Sequence, residues 1–222
     1  MKSGDGRWIG RTDRPLSAAG RENAERVAPM FAVLGLAAVY SSPLDRAVAT
    51  ARPIAAASGL KPICLESLAE IDFGAFEGRT FAEIAASDVE VYERWMVAPT
   101  TVRFPGGESY ADLKARALTA ARNIVGRHRG DSVLAVTHGG PIRAIVADVL
   151  EIPDRSLFRM DIAHASVTLI DWWDDRPLLR GLNWRTSRDL ASRLDAWGNV
   201  ESAPIKRPVE ALQKESKIDQ RQ

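Results

Sequence analysis

The sequence predicts a three-layer α/β/α sandwich built on a mostly parallel central sheet. Three observations lead there. Short apolar runs alternate along the chain with longer segments whose apolar residues recur at helical spacing. The clearest strand, residues 132–137 (SVLAVT), is apolar nearly throughout, as expected when both faces of a sheet are covered. The chain has 222 residues and 45% hydrophobic content, enough to bury one core of ordinary to large size.

The elements follow in order. Residues 1–14 read as a loop. Pro15-Leu16-Ser17 leads into a helix over 18–28, with Ser17 as N-cap and Pro29 ending or kinking it. Residues 37–41 suit a buried strand. Ser42-Pro43 then turns into a helix over 44–58, interrupted near Pro53 and closed by Gly59. Residues 63–65 read as a short strand. Thr80-Phe81-Ala82-Glu83 fits a capping box, and 88–97 reads as a further helix.

Pro105-Gly106-Gly107 is a loop, and Ser109-Tyr110-Ala111-Asp112 is a second box-like start. Leu113, Ala117, Ala120, Ala121 and Ile124 follow at helical spacing, so 109–127 is an amphipathic helix. After strand 132–137, Gly139-Gly140-Pro141 turns into a helix over 141–150. Residues 167–170 and 178–182 are late strands joined by Asp174-Asp175-Arg176-Pro177. From about 186 the apolar rhythm fades. The expected organisation is one α/β domain over 1–185 and a charged extension over 186–222, with no internal repeats.

Composition excludes several roles. Lys+Arg at 30 nearly cancels Asp+Glu at 29, so no global field favours nucleic acid or acidic membranes, and any anion site is local. Cys64 is the only cysteine, which rules out an intramolecular disulfide and a cysteine metal cluster. No apolar run approaches the ~18 residues of a membrane span, and the polar start lacks the apolar core of a secretory signal. Cytoplasm is the expected location.

Sites in α/β folds form where strand ends turn into helix starts, because free N–H groups and the positive dipole end favour anions there. Two segments have this form, residues 39–46 and 133–140. Arg46 falls in the first turn of its helix, where a cation opposes the dipole. That placement makes sense if its planar fork grips phosphate oxygens; the bland alternative is a solvated arginine. His138 ends an apolar strand before two glycines, which allow close backbone approach to a ligand. The alternative is a strand-end histidine bonded to a neighbouring carbonyl. Glu70, Asp72 and Glu77 lie in a segment alternating acids with aromatics and glycines. A carboxylate among apolar side chains suits a general acid. Spacing alone does not choose among the three, and solvated loop acids are the competing reading. Trp95, Trp172, Trp173 and Trp184 fit core packing better than a pocket wall.

At this point the segments resemble a family. Gly10-Arg11-Thr12-Asp13-Arg14-Pro15-Leu16-Ser17, Ser41-Ser42-Pro43-Leu44-Asp45-Arg46-Ala47, Leu68-Ala69-Glu70-Ile71-Asp72-Phe73-Gly74, Phe104-Pro105-Gly106-Gly107-Glu108-Ser109 and Thr137-His138-Gly139-Gly140 occur in the order seen in histidine phosphatases. Each is moderately specific; five in order are highly specific. The resemblance implies a phosphoglycerate-mutase-like fold and a phosphohistidine mechanism without metal or cofactor. It places Arg46 and His138 on the phosphoryl oxygens and makes Glu70 the proton donor. Gly10, Arg11, Thr12 and Gly139 fall at phosphate- or substrate-binding positions. The implied partner is a small phosphorylated metabolite, with neither nucleic acid nor membrane, and a second copy of the chain is the other partner it allows.

The departure from the family pattern lies in the attacking residue. The family nucleophile sits in an Arg-His-Gly motif, and His128, His138 and His164 all lie in other contexts. His128 is expected to face solvent and His164 to serve structure. Family spacing puts the missing motif and the central first strand just upstream of Met1, so the expectation is a phosphomonoesterase with an upstream start. In-frame upstream codons for an apolar strand and Arg-His-Gly-Glu would bear that out. The competing expectation is a shortened pseudophosphatase that binds phosphorylated ligands. Only about 28 residues separate Gly78 from Gly107, which resembles the phosphatase branch rather than the mutases.

Overall fold

Four consecutive buried residues mark the centre of the molecule: β1 (Ala38–Ser41) is covered along its whole length. The computed structural model describes residues 6–32, 34–173 and 176–185, all within one compact unit, Met1–Ser187. β1 pairs in parallel with β2 (Pro62–Cys64) and with β3 (Val133–Val136), so that Val39 stands opposite Pro62 and Leu134. The order β2-β1-β3 requires crossovers. α2 (Asp45–Ala57) links β1 to β2. A long excursion containing α3 (Phe81–Ser87), α4 (Val89–Val97) and α5 (Tyr110–Arg127) leads on to β3.

Side-chain alternation divides the layers. Ala38 and Tyr40 pack with Ala120 and Ile124 of α5, which sends Val39 and Ser41 to the opposite face. α2 packs on all three strands and on α1 (Ala18–Ala32). Helices thus cover both faces of β1, whereas the flanking strands are only partly covered: Ala135 of β3, expected to be shielded on both faces, and Ile63 of β2 are exposed. A second core gathers Phe73, Phe76, Trp95, Phe104 and Leu113, with Trp95 and Phe104 ring centroids 4.5 Å apart. Each such burial stabilises by roughly 1.5–3 kcal/mol.

Local signals explain the helix starts. Ser17 Oγ accepts from Gly20 N at 3.1 Å. Thr80 with Glu83 and Ser109 with Asp112 form complete capping boxes. Gly59, at φ +68, carries the left-handed turn after α2.

The structure corrects several expectations. Pro29 does not end α1, which continues to Ala32 because Val27, Ala28 and Phe31 keep a buried face through it. α2 likewise runs through Pro53, held by buried Ile54 and Ala55. α6 (Gly139–Val149) starts two residues early, since Pro141 then falls in the first turn, where no intrahelical N–H is needed. The late strands β4 (Val167–Trp173) and β5 (Arg176–Trp184) form an antiparallel pair of their own, with Arg176 and Pro177 inside β5. β3 is therefore an edge of the three-stranded sheet among the described residues. His128 does not face solvent freely: its Nε2 meets the Tyr40 hydroxyl at 2.8 Å. The charged extension at 186–222 lies outside the described residues. No helix among the described residues is long and apolar enough to cross a membrane.

Candidate active site

The parallel register brings the C-terminal ends of β1 and β3 together. Ser42 N donates to Val136 O at 2.8 Å, one step beyond the β1–β3 ladder. This places Ser42 beside His138, whose Nε2 lies 2.7 Å from Ser42 Oγ. Both residues are buried. Burial pushes the His138 imidazole down to about 3, and the neighbouring Arg46 charge acts in the same direction. The ring is thus neutral at physiological pH. Its partner is a hydroxyl rather than the carbonyl of the bland reading.

Glu70 enters from the segment after β2 and is 2% exposed, not the solvated loop acid of the competing reading. Its carboxylate accepts from Ile71 N at 2.9 Å and from Gly140 N, in the first turn of α6, at 3.2 Å. A Cβ at position 140 would lie 2.1 Å from Glu70 Oε1. Glycine is required there because the carboxylate occupies that space. Two further residues fix the Glu70 backbone. Arg116 donates to the carbonyls of Ser67, Ala69 and Glu70 while its guanidinium grips Glu108. Thr137 Oγ1 donates to Leu68 O at 2.6 Å. Burial pushes the Glu108 carboxyl up, yet the Arg116 and Asp72 N–H bonds bring it below its ordinary value.

Arg46 is half-buried rather than solvated. Its terminal nitrogens donate to Thr12 O at 2.9 Å and Gly10 O at 2.6 Å, and Asp13 lies 3.9 Å away. Asp13 also accepts from Asp45 N at 2.8 Å. That carboxylate offsets both the α2 dipole and the Arg46 charge, which resolves the apparent misplacement of a cation in the first helical turn. Burial holds the Arg46 guanidinium below its ordinary value, against the charges of Glu70, Asp13 and Glu77.

Gly10, Arg11 and Thr12, expected at phosphate- or substrate-binding positions, send their N–H groups to Glu77 at 3.1, 2.8 and 3.1 Å, and Thr12 Oγ1 adds a bond of 2.6 Å. Phe73 N supplies a fifth donor. Burial pushes the Glu77 carboxyl up, and these donors more than offset it, so it stays below its ordinary value. The loop thus encloses an internal anion and offers its carbonyls to Arg46. Gly139, the first residue of α6, is buried beside His138. Asp72 caps Gly74 N at 2.8 Å.

Sequence reasoning missed Asp13, Ser42 and Arg116 as site-building residues. Arg116 carried a signal, a cation inside the apolar stretch of α5. His164 borders the site cavity, the alternative to a purely structural role, and Trp95 lines that cavity as well as the core.

A family model described as histidine phosphatase superfamily (branch 1) matches residues 2–185. The bifunctional protein Rv2228c of Mycobacterium tuberculosis is 36% identical over 170 residues, 76% of this chain. The chain spans about half (46%) of that relative's length. Phosphoserine phosphatase 1 of Hydrogenobacter thermophilus is 32% identical over 178 residues, with 80% of this chain and 84% of the relative covered. Among solved structures, YhfR of Bacillus stearothermophilus superposes with a TM-score of 0.77 at 30% identity, covering 82% of this chain and 91% of that one.

Proposed function

The chain belongs to the histidine phosphatase superfamily (branch 1), and on that footing we propose that the protein hydrolyses phosphomonoesters of small metabolites through a phosphohistidine. The observation that carries this reading is the meeting of Glu70, His138 and Arg46 at one end of the parallel sheet, from the segment after β2, the end of β3 and the first turn of α2. Arg46 and neutral His138 hold the phosphoryl oxygens, with the N–H groups at the start of α6 beside them. An attacking histidine forms the N–P bond as the P–O bond to the leaving alcohol breaks. Glu70 gives its proton to that oxygen. It then takes a proton from the water that forms the new O–P bond and releases the histidine. The attacking histidine has no Arg-His-Gly counterpart among His128, His138 and His164, so in this reading it comes from outside positions 1–222. Gly10 and Thr12 orient Arg46 through their carbonyls.

A second reading, a phosphate-binding protein without turnover, draws support from one observation. The terminal nitrogens of Arg46 and Nε2 of His138 already have internal partners in this chain. Calorimetry with orthovanadate and assays of p-nitrophenyl phosphate separate the two. The phosphatase reading expects tight vanadate binding and, for the protein read through its upstream codons, turnover with an acid-labile, base-stable phosphoryl adduct. Vanadate binding without turnover or adduct in that longer protein supports the second reading. Absence of vanadate binding in both forms defeats both.

A further inference from the structure

A cavity of about 440 Å³ opens beside Glu70, a size usual for small-molecule sites. Its wall is mostly apolar and aromatic, including Trp8, Phe73, Trp95, Phe104, Leu113 and Leu157. The charged residues Arg143 and Asp161 in the same wall have opposite signs. Arg143 is committed elsewhere in part, with Nε on Met160 O at 2.9 Å and the guanidinium over the Phe158 ring.

Tyr110, the first residue of α5, lines this cavity and is 3% exposed, and its hydroxyl has no hydrogen-bond partner among the described residues. A buried hydroxyl in that state costs free energy unless something supplies an acceptor. Burial also holds the phenol above its ordinary value, so it stays protonated and able to donate. Its location matters. Tyr110 precedes Leu113 by one helical turn, about 5 Å along the axis. Leu113 Cδ2 and Glu70 Oε1 both crowd the space a Cβ would take at position 140. Tyr110, Leu113 and Glu70 thus line one and the same cavity.

We propose that this cavity receives the alcohol part of the substrate, and that this part is an uncharged, ring-bearing group with one hydrogen-bond acceptor read by the Tyr110 hydroxyl. The proposal rests on the phosphatase reading for the phosphate end and on Tyr110 for the alcohol end. Stacking and edge contacts from the aromatic wall favour a flat body. The hydroxyl discriminates because a ligand lacking the acceptor leaves it buried and unpaired.

The test is calorimetric binding to wild type and to Tyr110→Phe. The ligands are 4-acetylphenyl phosphate, its shape-matched 4-isopropylphenyl analogue, phosphoserine and free 4-hydroxyacetophenone. The acetyl ester should bind wild type roughly tenfold tighter than phosphoserine. Tyr110→Phe should weaken it about fivefold to tenfold while leaving the isopropyl ester unchanged. The substitution removes an unpaired hydroxyl, so thermal unfolding should not fall. Equal binding of phosphoserine and the aryl esters overturns the proposal, as does equal weakening of both aryl esters in the variant. If free 4-hydroxyacetophenone binds with the Tyr110 dependence and its phosphate binds no better, the cavity assignment stands and the phosphate reading fails. If inorganic phosphate competes with phosphoserine but the aryl ring adds nothing, the phosphate reading stands and this proposal fails.

Discussion

Glu70 and Glu77 lie seven positions apart in one loop segment and carry the same carboxylate, yet their surroundings differ: Glu70 is buried, and Glu77 is half-buried within a ring of donors. Glu77 accepts from five donors, the N–H groups of Gly10, Arg11, Thr12 and Phe73 and the Thr12 hydroxyl. Such a carboxylate is fixed as an anion and organises the loop that holds Arg46. Among the described residues, Glu70 accepts from Ile71 N and Gly140 N alone, and it borders the cavity. In the proposed phosphatase, the number of donors separates the carboxylate that builds the loop from the one assigned the proton transfer.

Exchanging the two roles is the most direct way to break this comparison. In the active phosphatase, Glu70→Gln should lower kcat on alkyl phosphates about a hundredfold or more, with KM little changed. The loss on p-nitrophenyl phosphate should be smaller, because that leaving group needs no proton. Steady-state kinetics on both substrates decides it, and equal losses would argue for a structural role of Glu70.

Glu77→Ala should instead act on stability. Leaving the part-buried donors of residues 10–12 without an acceptor should cost about 1–3 kcal/mol in urea unfolding. Gly10→Ala should act in the same direction, since its Cβ would meet Ile71 O at 2.0 Å and Glu77 Oε1 at 2.4 Å. Gly140→Ala pushes on Glu70 instead. It should reduce turnover about tenfold, with a stability loss smaller than that of Gly10→Ala. If Gly140→Ala is the more destabilising of the two glycine variants, the division between building and reacting carboxylates fails.

The smallest effects lie in pH dependence. Glu77 has a lowered folded value, so its contribution is full above its ordinary 4.5 and is lost as pH falls through the folded value. Glu77→Gln should flatten that acid limb. His138 is a base whose folded value is depressed to about 3. The unfolded chain binds its proton first, so stability falls as pH drops below 6.5 and levels off near 3. NMR titration should find the His138 ring neutral from pH 5 to 8, and a protonated ring at pH 6 would contradict the buried site.

Much of the fold was legible because it rests on local rules. The capping boxes at Thr80 and Ser109, the apolar runs of β1 and β3, and the Gly59 turn each depend on a few neighbouring residues. The prolines misled for the same reason. Pro29 and Pro53 break a helix locally, and only the buried faces around them keep α1 and α2 going. Arg46 and His138 were legible as residue types at two strand-to-helix turns, and Glu70 as one of three candidate acids. The use of Gly10, Arg11 and Thr12 was not, because nothing nearby in sequence reveals that Glu77, more than sixty positions away, takes up their N–H groups.

The sequence by itself determined the layers, the capped helix starts at Thr80 and Ser109, and the two strand-to-helix turns that carry Arg46 and His138, since hydrophobic period and capping act over a few residues. Only the tertiary structure decided which acid is saturated and which is free, that Ser42 holds His138, and that Tyr110 stands unpaired in a cavity. Those outcomes depend on donors and side chains brought together across crossovers, and desolvation and hydrogen bonding act on whatever lies adjacent in space rather than along the chain.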